Sequence, residues 1–384
     1  MSGRSQPRVP FIDLKAQFAS VREAVLAAIH RVLDSQQFIG GEELEAFERR
    51  LASLVGVRHA VGCASGTDAL LLALRAAGIG AGHEVVVPTF SFFSTASAVV
   101  MSGARPVFVD IEPTTFNLDP ARLEQATAPE LRAVVVAHLF GRMADVDRIR
   151  PWCEARGLIL IEDAAQALGA GGPGGRAGGL GQAGCFSFFP TKNLGAYGDA
   201  GAIVTDDEAL AGSLRSLRAH GRSGEYEHAI VGINSRLDTL QAAVLLAKLD
   251  FLEGWNRRRR QHAHRYGQLF AQRGLGEPAS GLVTPPADDT ERWIAHQYVV
   301  RVEGDRDRLR RYLLEHGIGC AVYYPCPLHR QPALAHIGRR AGSLAQAEQA
   351  CRQALALPVY PELTQMQQDQ VVEAVCQGLS NAEV

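Results

Sequence analysis

Only three lysines, Lys15, Lys192 and Lys248, stand among the 39 lysines and arginines of this 384-residue chain. Nearly every positive charge is an arginine, so each lysine asks for a reason. Lysine can do what arginine cannot, which is to lose its proton and attack as an amine. Lys192 has the setting for it. The run Cys185-Phe-Ser-Phe-Phe-Pro-Thr-Lys192-Asn-Leu-Gly delivers it from an apolar strand to a turn flanked by Pro190 and Gly195. Apolar surroundings lower a lysine pKa and free the amine to form an imine with a carbonyl. The plainer alternative is a surface lysine whose stem lies along apolar neighbours.

Asp163 ends the apolar run Leu158-Ile-Leu-Ile-Glu-Asp163. Ligands of parallel α/β sheets bind beyond the carboxyl ends of the strands, where this carboxylate falls. A lysine for an aldehyde, with an acid that keeps a pyridine nitrogen protonated, is what pyridoxal phosphate (PLP) chemistry requires. Taken alone, Asp163 reads first as a turn cap. A third stretch, Cys63-Ala-Ser-Gly-Thr-Asp-Ala-Leu, leads from a short strand into a helix. Small residues at a helix start let amides approach a phosphate, although Ser and Asp are also ordinary N-caps. Gly169-Ala-Gly-Gly-Pro-Gly matches a dinucleotide-binding pattern, but Pro173 and further glycines follow where a helix should open.

The elements that must position these residues alternate. Apolar spacing predicts a helix over 16–34 and then strands at 59–62, 84–87, 106–110, 132–138 and 158–161. Helices are predicted between them at 67–77, 91–101 and 146–156. Strands that are apolar throughout are those buried on both faces, so the pattern is α/β with a mainly parallel sheet. Residues 169–181 read as a glycine loop, 185–189 and 201–205 as strands, and a further helix runs to about His220. A long helix is expected over 237–270, interrupted near Gly254, with Arg257–Arg260 as a solvated face. Beyond it a strand at 297–302, a helix at 307–316, a strand at 320–323 and helices near 343–355 and 364–377 make a smaller α+β unit. The expected division is 1–255 for a large domain and 256–384 for a small one.

Composition excludes several classes. With 41 acidic and 39 basic residues the net charge is −2, which argues against a broad nucleic-acid surface. No apolar run is long enough to span a bilayer, and the start, MSGRSQPRVPFIDL, lacks the apolar core of a signal peptide. The seven cysteines form no CxxC pair, so no metal site is expected. They read as reduced thiols of a cytoplasmic protein.

Across nearly its whole length the sequence resembles the PLP-dependent sugar aminotransferases of the DegT/DnrJ/EryC/StrS family. Ser65-Gly-Thr-Asp-Ala-Leu, Glu162-Asp-Ala-Ala-Gln, Ser187-Phe-Phe-Pro-Thr-Lys, Gly232-Ile-Asn-Ser-Arg-Leu-Asp and Tyr324-Pro-Cys-Pro-Leu-His carry the resemblance. It implies the aspartate aminotransferase fold (fold type I), a large domain with a mainly parallel central sheet flanked by helices and a smaller C-terminal α+β domain. By the same resemblance Lys192 binds the PLP aldehyde and shuttles the proton, and Asp163 pairs with the pyridine nitrogen. Gln166 meets the phenolic oxygen, and Gly66, Thr67 and Ser187 hold the phosphate. Phe92 stacks on the ring, and Asn234 reaches the phosphate from the other subunit of a homodimer. Arg236 and the segment with Tyr323, Tyr324 and His329 line a site for a nucleotide-linked keto sugar, 3-keto ahead of 4-keto. The implied amino donor is an amino acid, L-glutamate by resemblance. A cyclitol aminotransferase, a nicotinamide-dependent dehydrogenase and a non-catalytic PLP-binding regulator are the alternatives. Departures include Thr191 before the lysine, Ala200 in Asp199-Ala-Gly, and Arg142 after Phe140-Gly.

Overall fold

A computed structural model describes residues 8–288 and 290–380. The outer ends of the two expected domains, 1–7 and 381–384, therefore lie outside the described residues.

The chain begins with two amphipathic helices, α1 (Leu14–Ser35) and α2 (Glu42–Val55). Asp13 caps α1 by accepting from the Lys15 and Ala16 amides. Alternation follows through β1 (His59–Cys63), α3 (Gly66–Ala76), β2 (Glu84–Pro88), α4 (Ser94–Met101), β3 (Arg105–Val109), β4 (Leu131–Ala137), α5 (Val146–Glu154) and β5 (Ile159–Asp163). A two-residue hairpin, β6 (Gly171–Gly172) with β7 (Gly175–Arg176), precedes β8 (Ala183–Ser187), β9 (Gly201–Thr205), α6 (Glu208–Leu217), α7 (Thr239–Leu249) and α8 (Leu252–Ala271). The rest comprises β10 (Leu282–Val283), β11 (Tyr298–Val302), α9 (Arg306–Glu315), β12 (Arg339–Arg340), α10 (Ala345–Gln353), β13 (Ala354–Leu357) and α11 (Gln365–Ser380).

One eight-stranded sheet dominates, in the order β1-β9-β8-β5-β4-β2-β3-β12. From β8 to β12 every neighbour is parallel, and β9 alone runs against both its partners. β2 is buried throughout and β4 everywhere but at Arg132, as their apolar runs require. Helices α3 and α4 pack one face with a core that includes Leu72, Val87, Val99 and Ile161. The opposite face buries Val86, Val107, Val134 and Ile149. A second, three-stranded sheet, β10-β11-β13, forms the smaller unit, packed by Tyr266, Phe270, Leu313 and Val375. The architecture is the α/β arrangement with a smaller C-terminal unit read from the sequence.

Several expectations need correction. The break in the long helix falls between α7 and α8 at Asp250 and Phe251, while Gly254 lies inside α8 with open space around it. Arg259 is not on a solvated face: it is buried, and its guanidinium donates to the carbonyls of His296 and Val359. The expected strand at 320–323 is a single bridge, Ala321 to Ala356. Helix α10 ends at Gln353, where β13 begins directly. The expected domain division at 255/256 falls inside α8, and Arg339–Arg340 leaves the smaller unit to pair with β3 in the large sheet. Conversely Val9 is buried in the core of the smaller unit.

Candidate functional site

The carboxyl ends of β2, β4, β5 and β8, with the start of α3, surround a cavity of about 630 Å³. Parallel strands leave such a crevice at their carboxyl edge, because each chain then turns away into its helix. Gly66, Thr67, Phe92, Asp163, Gln166, Ser187, Lys192, Tyr323 and Tyr324 all line it. Sheet order brings most of them together, and the segment before Leu328 adds Tyr323 and Tyr324.

Lys192 sits on the turn after β8, its amide donating to the Phe189 carbonyl at 2.8 Å. Burial pushes its amine down to about 8 against the opposing pull of Asp163. Asp163 is buried at the end of β5. The Thr95 hydroxyl donates to its Oδ2 at 2.8 Å, and the Ala165 amide to its Oδ1 at 3.3 Å. Burial raises its pKa; the Thr95 and Ala165 hydrogen bonds and the nearby Lys192 work in the opposite direction. So Asp163 does cap its own turn, and it also faces the cavity. Both of its donors are neutral, so its charge meets no cation within hydrogen-bond reach.

The start of α3 supplies the second polar corner. Ser65 is its N-cap, accepting from the Asp68 amide at 3.1 Å. The amides of Gly66 and Thr67 fall in the first turn, where helix geometry gives them no intrahelical acceptor. A Cβ on Gly66 would lie 2.6 Å from the Ser187 Cβ, so only glycine lets the helix start and β8 come together here. Gln166 is oriented by the Phe140 amide, which donates to its Oε1 at 2.6 Å; its Nε2 points to the Tyr324 hydroxyl at 3.3 Å. Phe92 is 55% exposed on the cavity wall, 6.3 Å between centroids from Tyr324, so it is no core aromatic. The core position of that segment belongs to Phe90.

Three candidates lie away from the cavity. His329 is buried with both ring nitrogens engaged, Nδ1 with Thr89 at 2.7 Å and Nε2 with Glu348 at 3.2 Å. The short turn Leu328–Arg330 tucks it beside Phe108. Asn234 and Arg236 are exposed on the segment before α7. Ser235 between them is buried, donating to Asp68 at 2.7 Å and accepting from the Ala64 amide at 3.2 Å. In an extended segment neighbours face opposite ways, so anchoring Ser235 turns its two flanking residues outward.

Other residues of the site carried no sequence signal. Thr95 was visible only as a helix residue, and its carboxylate partner is 68 positions away. His296 lines the cavity and its Nδ1 meets Asn193 at 2.8 Å. Burial is the first cause holding its imidazole well below the ordinary value, and it stays neutral. The glycine loop that imitated a dinucleotide motif has its own use. The Gly178, Leu180 and Gly181 amides donate to the Glu162 carboxylate, which also accepts from His138 at 2.8 Å. Burial would raise that carboxylate, but the His138 contact and the amides keep it below the usual range. The loop thus cradles an internal anion directly behind Asp163. Arg142 is likewise structural, stacked 4.5 Å over Trp293 and paired with Asp288 at 2.9 Å.

PLP fits this cavity on the residues present. An amine of lowered pKa, a buried acid without a cation and a helix start with free amides match its aldehyde, its pyridine nitrogen and its phosphate. Fold and site together define a PLP-dependent aminotransferase of fold type I. The sequence profile of the DegT/DnrJ/EryC1/StrS aminotransferase family matches residues 19–376. The chain belongs to that family. Among its relatives, a Geobacillus stearothermophilus protein called pleiotropic regulatory protein is 44% identical over 96% of this chain and 98% of its own. The dTDP-3-amino-3,4,6-trideoxy-alpha-D-glucose transaminase of Streptomyces venezuelae is 45% identical over 98% of this chain and 97% of its own. The crystal structure of DesV from S. venezuelae, in complex with a ketimine intermediate, superposes with a TM-score of 0.91 at 44% identity. It covers 97% of this chain and 99% of that one.

Proposed function

We propose that this protein aminates a nucleotide-linked 3-keto sugar, taking the amino group from an amino acid, with L-glutamate as donor. The observation that carries the reading is the convergence of Lys192, Asp163 and the α3 start on one cavity, in a chain similar end to end to a transaminase of a dTDP-3-amino sugar.

Lys192 would hold the cofactor aldehyde through Nζ, and its amine would carry the proton at the substrate carbon. An amine whose pKa is lowered to about 8 gives up and regains a proton readily near neutral pH. Asp163, fixed by Thr95 and Ala165, holds a proton on the ring nitrogen by its negative charge. Gly66, Thr67 and Ser187 hold the phosphate, Phe92 covers one ring face, and Gln166 offers Nε2 to the phenolic oxygen. PLP bound in this way supplies an electron-withdrawing ring for proton transfer at the substrate carbon. The amino acid leaves as its keto acid, and the sugar carbonyl becomes the amine.

The working unit in this reading is a homodimer with shared sites. Asn234 and Arg236 are exposed beside a surface that also shows Val231 at 89% exposure, which supports their reaching a partner's cavity. Tyr323 and Tyr324 line the sugar side of their own chain's cavity. His329 belongs to that segment as a support: it holds Thr89 and Glu348. No helix among the described residues is long and apolar enough to cross a membrane, in keeping with a cytoplasmic enzyme acting on water-soluble substrates.

The test is incubation of the loaded enzyme with L-glutamate and a panel of 3-keto and 4-keto sugars linked to UDP or dTDP. The expected outcome is 2-oxoglutarate and a sugar bearing nitrogen at C3, assigned by NMR. Amination at C4 alone would refute the position. PLP binding with no turnover of any substrate would favour a regulator.

A further inference from the structure

Lys248 has no part in the chemistry above, yet it is one of three lysines and is 1% exposed. It lies in the last turn of α7. A buried ammonium is costly unless acceptors meet it. Its Nζ donates to the Gly195 carbonyl at 2.5 Å and lies 5.0 Å from the Tyr197 ring centroid and 5.9 Å from that of Trp255.

Gly195 and Tyr197 belong to the loop that carries Lys192. That loop is closed on itself at its base by the Ala196 amide, which donates to the Phe188 carbonyl at 2.8 Å. Its backbone crosses so closely that a Cβ on Gly195 would lie 2.3 Å from the Pro190 carbonyl oxygen. A closed loop still needs fixing to the body of the protein. Asn193 ties it through Asn256 of α8 at 2.7 Å and His296 at 2.8 Å, and the Tyr197 amide donates to Gln241 of α7 at 2.8 Å. Lys248 is the charged tie. One carbonyl between two aromatic faces suits a compact ammonium and leaves the planar five-donor fork of arginine unsatisfied. That accounts for a lysine at this place in an arginine-rich chain.

We infer that Lys248 is a positioning residue for Lys192: by binding the Gly195 carbonyl under Tyr197 it locks the loop that presents the reactive amine to the cavity. The inference rests on the reading of Lys192 as the group that holds PLP.

Lys248→Met keeps the apolar stem and removes the charge and the donor. Loss of a charge-assisted hydrogen bond is expected to weaken PLP binding roughly tenfold and shift the pH midpoint of the bound cofactor's visible band. It should lower kcat by about tenfold with the KM for the sugar changed less than about twofold. In the cofactor-free protein, hydrogen exchange of the 193–197 amides should rise by about the same factor. A folded Lys248→Met protein with PLP affinity, band, kcat and exchange all within about twofold of wild type would overturn the inference. If that variant does not fold, Tyr197→Leu replaces it. This change removes the ring over the ammonium and should move the same readouts in the same direction by a smaller factor; no movement overturns the inference. Borohydride reduction of the loaded wild type separates the two readings. A label on Lys192 supports the premise, and a label on Lys248 overturns both.

Discussion

The loop carrying Lys192 packs against α7 through Gln241 and Lys248, the segment carrying Asn234 and Arg236 leads into the start of that helix, and the two are held differently. The first is pinned from several sides: Lys248, Asn256 and His296 all grip it, and Gln241 accepts from the Tyr197 amide at 2.8 Å. The second is held through its backbone, the Ile233 and Ser235 amides donating to the Leu217 and Arg218 carbonyls, and through the Ser235 hydroxyl between Asp68 and Ala64, while the Asn234 and Arg236 side chains face out. A group that makes and breaks covalent bonds must be held within a fraction of an ångström by its own chain. Groups that recognise a substrate across an interface only need presenting, because the partner supplies the other wall. The pinned loop presents its amine to the cavity of its own chain, and the other segment turns Asn234 and Arg236 toward solvent.

The largest effect should come from removing the pinned amine. Lys192→Ala is expected to lower turnover by at least about 10³-fold while leaving the thermal midpoint of the cofactor-free protein close to wild type. A large fall in that midpoint would mean the residue is structural. Asp163→Asn keeps the shape and can still accept from Thr95, but it loses the charge. Turnover should fall by about 10²–10⁴-fold with the cofactor still bound. Normal turnover would leave Asp163 as a turn cap only.

The exposed segment should respond by substrate rather than globally. Arg236→Ala should cost about 2–3 kcal/mol in kcat/KM, some tens-fold, if its planar fork meets a substrate anion. A loss confined to 3-keto uronic acids would assign the partner as a carboxylate, and an equal loss on 6-deoxy sugars as a diphosphate. Mixing the double variant Asn234→Ala/Arg236→Ala with Lys192→Ala should regenerate activity in heterodimers, since each supplies what the other lacks. No recovery with heterodimers present would mean that each site is complete in one chain.

The smallest effect is a pH signature of the buried tie. Burial, opposed by Glu362, brings Lys248 down to about 8 from an ordinary 10.5. Between these values the unfolded chain holds more protons than the folded one, so the cost of burying this charge is relieved as pH rises. The cofactor-free wild type should therefore gain stability relative to Lys248→Met from pH 8 to 10. The comparison cancels the tyrosines and cysteines common to both. A flat difference would mean that Lys248 is not a buried ammonium.

Much of this was legible beforehand, and the reason differs by residue. Apolar strands and their carboxyl-end residues, Asp163 above all, can be read because a parallel sheet forces both the pattern and the site. Lys192 stood out by rarity against an arginine background. Thr95 and His296 did not, because a hydroxyl inside a helix and a lone histidine look alike wherever they point, and only packing brings them to the cavity. Helix α2 is also legible in principle, since Leu44, Phe47, Leu51 and Val55 carry a helical spacing. Arg259 is hidden by its company, because a run of four arginines suggests solvent, while inside the protein its Nη1 donates to two backbone carbonyls. His329 was carried to the substrate site with its motif, and its ring turns inward to Thr89 and Glu348.

The central claim is that one amine, that of Lys192, holds the cofactor. Protein loaded with PLP should be yellow, and borohydride should fix the chromophore to a single lysine. With three lysines in the chain, peptide mapping gives an unambiguous answer. Label on the peptide containing Lys192 is the predicted result; label on Lys15 or Lys248, or no bound chromophore with PLP in excess, would contradict it.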